Sequence, residues 1–155
     1  MDEILKEQSN IDRGVDEWVA RIKQGVAAEL IVHPKGTSML PLIRGGKDSV
    51  IVLPLDRPLK KGDIILFRRH DGKNVMHRVL KLDGETVTTF GDGSVRPDDP
   101  IKKEAVLGLA VMLLKDGKTK KLDTALSRLY GKIHQRLFPV RRIAGSLKRK
   151  IKSFL

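Results

Sequence analysis

The chain has no cysteine among its 155 residues, which excludes disulfide frameworks, thiolate nucleophiles and cysteine-ligated zinc. Aromatic residues are scarce, with one Trp, one Tyr and four Phe. They do not alternate with basic positions as in segments that stack on single-stranded nucleic acid, so nucleic-acid binding through the basic tail ranks low. Long apolar runs are missing as well. The longest, AVLGLAVMLL at 105–114, falls short of the ~18 apolar residues that span a bilayer and has the length of a core strand. There is no phosphate-binding glycine loop, dinucleotide fingerprint or H-E-x-x-H pair, and the histidines lack metal-ligand spacing. No cofactor is expected. The opening MDEILKEQSN is charged and has no apolar stretch, so it does not read as a secretory signal, and a cytoplasmic location is expected.

Acidic residues are nearly absent from one part of the chain only. The formal charge is +12, but Lys118–Leu155 holds 12 Lys/Arg against a single acid, Asp123. The preceding 117 residues are balanced to within one charge. This asymmetry points to a tail with a partner of its own rather than to a basic active site.

What is present organises into three parts. Over residues 1–30, Ile4, Leu5, Ile11, Val15, Val19, Ile22 and Val26 recur mostly at helical spacing, and the SNIDRG stretch predicts a break into two helices. Residues 31–117 read as β-structure. DSVIVLP (48–54), DIILFRR (63–69), NVMHRVLKL (74–82) and ETVTTF (85–90) are β-rich runs, the last three joined by Asp-Gly turns as a meander, and 105–114 closes the sheet. The fold class expected is mainly β with flanking helices, a small coiled antiparallel β-fold. Residues 118–155 form a basic amphipathic helical tail. Leu122, Leu126, Leu129, Ile133 and Leu137 make one apolar stripe, suited to covering the open face of the β-domain. Val140, Ile143, Leu147, Ile151 and Phe154 make a second, flanked by Arg141, Arg142, Lys148, Arg149, Lys150 and Lys152. Residues 140–155 are thus suited to lie on an anionic membrane surface, with the protein peripheral on the inner face.

HPKGTSMLPLI (33–43) places Ser38 where a glycine turn runs into a proline-bent apolar segment. A serine nucleophile needs a base. Of the four histidines, His70 adjoins an Asp-Gly turn, His134 lies in the tail, and extended chain would carry His33 away from Ser38. His77, in VMHRVL, shares a strand face with Val75 and Val79 and would be held rigidly. A carboxylate that fixes its tautomer completes such a unit. FGDGSVRPDDP offers Asp92, Asp98 and Asp99 directly after the meander. Each of these also suits an ordinary structural role, His77 as a core histidine and the aspartates as turn residues.

In their order, GTSMLPLI, LKKGDIILFRR, MHRVL, GDGSVRPDDPI and VLGLAVML resemble the catalytic domain of type I signal peptidases and their SOS-repressor relatives, over about 80 residues from Gly36 to Leu114. The resemblance implies Ser38 as nucleophile and the K-x-G-D box as support for the sheet. His77-Arg78-Val79 looks like the archaeal and endoplasmic-reticulum branch, in which histidine replaces the lysine base. In that branch the Gly-Asp box and a carboxylate about six residues on both matter, which match Asp92 and Asp98, with Asp98 (or Asp92) orienting the base. The implied activity is serine endopeptidase cleavage of a peptide or protein precursor. Two positions depart from the pattern. Gly36 stands where signal peptidases usually carry the serine that helps bind the oxyanion, although the self-cleaving repressors also have glycine there. The charged segment 1–30 stands in place of a membrane span. A catalytically inactive relative of the same fold that binds peptides or holds a complex together is the alternative.

Overall fold

The computed structural model describes residues 2–26 and 28–137. The apolar-basic stripe at 140–155, and the membrane contact expected of it, lie outside these residues. β-branched runs cut by glycine turns become eight strands: β1 (Leu30–Val32), β2 (Ser49–Leu53), β3 (Ile64–Arg68), β4 (Asn74–Asp83), β5 (Thr86–Phe90), β6 (Ile101–Lys102), β7 (Val106–Lys115) and β8 (Lys118–Lys121). They form one curled antiparallel sheet in the order β1-β2-β7-β3-β4-β5-β6, with β8 also on β7. The fold is therefore mainly β, and the meander β3-β4-β5 is as expected.

Strand β3 explains why no simple alternation marks the middle of the sheet. Ile64, Ile65, Leu66 and Phe67 are all buried, because each face of the strand packs on its own apolar cluster. One cluster lies under Val79, Val87, Ile101 and Leu109. The other joins Ile64 and Leu66 to Val50, Val52, Leu113 and the N-terminal helix. Strand β5 pairs with β4 from Arg78 onward, so among the described residues Val75–His77 are paired in the sheet on the β3 side alone.

The N-terminal segment is one helix, α1 (Asp2–Lys23), not two. Gly14 costs a helix interior about 1 kcal/mol, but no proline interrupts the segment, and Val15 and Trp18 on one face are buried against the sheet. The Trp18 indole N–H donates to Ala28 O at 2.9 Å. Gly108 makes room for it, since a Cβ there would lie 2.7 Å from the Trp18 ring. The helix ends with Gly25 at φ 81°, with Val26 N–H bonded to Arg21 O and Gly25 N–H to Ile22 O. This is the paired-bond termination that favours glycine in the left-handed region.

The first residues of the expected helical tail are a strand. Asp116 and Gly117, both at positive φ, form a two-residue hairpin turn that returns Lys118–Lys121 onto β7. After the buried Leu122, helix α2 (Ala125–Arg136) begins at Thr124, whose hydroxyl accepts from Ser127 N–H at 3.1 Å. Its apolar stripe does not cover the sheet: α2 buries Ser127 and Gly131, while Leu126, Leu129, Ile133 and Leu137 are exposed. A Cβ on Gly131 would sit 2.2 Å from Cδ of Arg78. The helix thus docks by its small residues on a buried arginine.

Candidate active site

Within the turn at 37–43, Ile43 N–H bonds Met39 O and Leu40 N–H bonds Thr37 O. Met39, Leu42 and Ile43 point into the core, at the i, i+3, i+4 spacing of one helical face. Ser38, half-buried, is left at the rim of a cleft of about 360 Å³ that it shares with His77, His33, Gly36, Met39 and Met76. The apolar run after Ser38 therefore serves to pin the serine in place.

The histidine comes from β4 and its carboxylate partner from the loop after β5. His77 is 7% exposed, and its Nδ1 lies 2.6 Å from Asp98 Oδ2. The same oxygen accepts from the Thr89 hydroxyl at 2.6 Å, and Asp98 N–H donates to Thr89 O. Burial alone would push the Asp98 carboxyl up. Hydrogen bonds from His77 and Thr89, with the nearby His77 and Arg69 charges, outweigh it and hold the group below the usual carboxylate range. Facing an ionised Asp98, Nδ1 is the donor, and in the neutral ring that tautomer leaves a lone pair on Nε2.

That nitrogen lies beside Gly91. A Cβ built on Gly91 would lie 2.4 Å from Ser38 O, 2.3 Å from Ser94 Oγ and 3.1 Å from His77 Nε2. The serine turn, the His77 ring and the loop therefore come together at one side-chain-free position. Gly93 N–H fastens the loop to Ser38 O at 2.8 Å. Among the described residues no hydrogen bond joins the Ser38 hydroxyl to His77, a contact that in unliganded sites often forms only with substrate. His33 lines the same cleft rather than being carried away from it, and its Nδ1 lies 2.9 Å from Ser49 Oγ. Gly36 has φ 79°, a backbone conformation that L side chains rarely adopt, so the backbone itself favours glycine at this position. Asp99 is exposed.

Asp92 does other work. Its two oxygens accept from Arg78 Nε at 2.8 Å and Nη2 at 2.7 Å, and both side chains are fully buried. Arg78 Nη1 donates to Gly62 O at 2.8 Å and to Ser127 O at 3.0 Å. The neighbouring Asp63 of the K-x-G-D box is also buried and is paired with Arg57 and Arg128. Of the two aspartates the sequence left open, Asp98 is the one on the histidine. Asp92 instead locks the loop to β4 and, through Arg78, to α2.

Sequence reasoning missed Thr89, Ser94, Gly91 and the guanidinium of Arg78. In a strand Arg78 falls on the face opposite His77 and Val79, where an arginine reads as solvent-facing, and a threonine within ETVTTF reads as ordinary strand. Among the described residues no group of three His, Asp or Glu could hold a metal ion, and no helix is long and apolar enough to cross a membrane. Comparison with protein-family models and with curated proteins finds no match to this chain.

Proposed function

We propose that the chain is a serine endopeptidase of the signal-peptidase type, cleaving a peptide or protein precursor. One observation carries the reading: a buried histidine with one ring nitrogen 2.6 Å from a carboxylate lines the same cleft as Ser38, and its other ring nitrogen and the Ser38 carbonyl oxygen both lie beside Gly91. In the forward step Ser38 Oγ attacks the scissile carbonyl carbon as its proton passes to His77 Nε2, and Asp98 stabilises the imidazolium. The Ser38 backbone N–H is the donor suited to the oxyanion, since Gly36 brings no side-chain donor. Collapse of the tetrahedral intermediate breaks the C–N bond, and His77 gives its proton to the leaving amine. A water, deprotonated by the same histidine, then hydrolyses the acyl-serine ester.

The alternative, a relative that binds peptides without cleaving them, draws on Gly36 and on the missing Ser38–His77 hydrogen bond. A fluorophosphonate probe separates the two. The proposed enzyme gains the probe mass on Ser38, and labelling disappears in Ser38→Ala and drops sharply in His77→Ala. An unlabelled, folded wild-type protein that still retains peptides would select the binding reading.

A further inference from the structure

Helix α2 is turned inside out relative to what its periodicity leads one to expect. Leu126, Leu129, Ile133 and Leu137 are 72%, 53%, 51% and 48% exposed, and they form one stripe along the helix. The helix cannot roll to bury them without withdrawing Ser127 O from Arg78 and driving side chains into the space that Gly131 leaves for the guanidinium. The exposure is thus fixed by the buried ion pair. A groove of about 460 Å³ runs beside the stripe and is shared with Leu42, Lys120 and Lys121. Lys118, Lys120, Lys121, Lys132 and Arg136 are all exposed, and the whole stretch from Lys118 to Leu155 carries a single acid.

We propose that the outer face of α2, with the lysine-rich β8 beside it, docks on an anionic membrane surface. The leucines and isoleucine enter the acyl boundary, and the lysines meet the headgroup phosphates. Charge argues for this occupant. A second copy would set two strongly positive segments against each other, and a nucleic acid would satisfy the lysines but leave the apolar stripe in water. The surface is distinct from residues 140–155, and the proposal does not depend on the peptidase reading.

The test is co-sedimentation of the full-length chain with vesicles of equimolar phosphatidylglycerol and phosphatidylcholine, and with pure phosphatidylcholine. Binding should need the anionic lipid and weaken with salt. Leu126→Ser/Leu129→Ser/Ile133→Ser keeps every charge and should bind at least about tenfold more weakly. Lys120→Ala/Lys121→Ala should lose about thirtyfold. Because the chain lacks cysteine, Leu126→Cys carries a unique thiol. An environment-sensitive dye on it should shift to the blue with anionic vesicles, which decides the matter even if the triple variant does not fold. Undiminished binding by a folded triple variant, equal binding to neutral vesicles, or a dye that stays in water would overturn the proposal. So would a lipid-free dimer that the triple variant abolishes, since the face would then belong to a second copy.

Discussion

Replacing Asp92 by asparagine should damage the fold far more than replacing Asp98, although both carboxylates flank the same loop. Asp92 and Arg78 are fully buried, and two guanidinium donors rest on the Asp92 oxygens. An asparagine in its place would turn at most one acceptor to that pair and leave a buried cation with no counter-charge. Breaking one side of a buried ion pair costs about 3–5 kcal/mol. That is a large fraction of the roughly 5–15 kcal/mol that holds a domain together. At about 2–4 °C per kcal/mol for a chain of this size, the melting temperature should fall by roughly 6–20 °C. Asp98 is partly exposed, at 19% of its side chain, so Asp98→Asn should cost only about 1 kcal/mol. Its activity should fall instead, by up to ~10⁴-fold if control of the histidine tautomer is its main task, as in the chymotrypsin-type case from which that figure comes. Asp99→Asn should change neither. Urea unfolding monitored through the buried Trp18, alongside fluorophosphonate labelling rates, reads both quantities. An Asp92→Asn protein within about 1 kcal/mol of wild type would refute the division of labour between the two aspartates.

Ser38→Ala and His77→Ala should each abolish turnover, and the double variant should be scarcely slower than either, because the residues act as one unit; losses that multiply would show separate roles. Gly91→Ala should leave the sheet intact but force its methyl group against Ser38 O, at 2.4 Å, and toward His77 Nε2. A displacement of order 1 Å at a reacting group costs about a hundredfold, and full activity in this variant would mean that the serine and histidine do not meet across Gly91. The Asp98 carboxyl is held below its ordinary range, so its contribution to stability is complete above the ordinary value near ~3.9 and is lost as pH falls through the lower folded value. The stability difference between wild type and Asp98→Asn should therefore shrink on acidification below about pH 4. A difference that widens there would reverse the sign of the shift.

The strands were legible because β-branched runs end at Asp-Gly turns, and local chemistry decides both. NVMHRVLKL differs from the observed β4 by one residue. Strand β8 was not legible, since Lys-Thr-Lys-Lys has no apolar pattern and is held by backbone pairing to β7. Helix α2 shows a different limit. Periodicity reveals that Leu126, Leu129 and Ile133 share a face, but not where the face looks. That is set by Arg78, far away in sequence, which needs the small side of the helix. The same arginine explains why Asp92 and Asp98 could not be told apart: its burial claims one carboxylate and leaves the other for His77.

Strand β4 has a consequence for what the cleft can accept. Ahead of Arg78 it is paired on one side only among the described residues, and Val75, Met76 and His77 border the cleft. If the proposed peptidase reading holds, a peptide laid along Val75–His77 would be gripped by main-chain hydrogen bonds and would carry its scissile bond to His77. Recognition by backbone tolerates most side chains but not the loss of an N–H or an extended shape. Proline scanning of a substrate should then map the length of contact, each forbidden position marking a rung of the ladder, while the identity of the intervening residues matters only where they reach the apolar floor at Met39 and Met76.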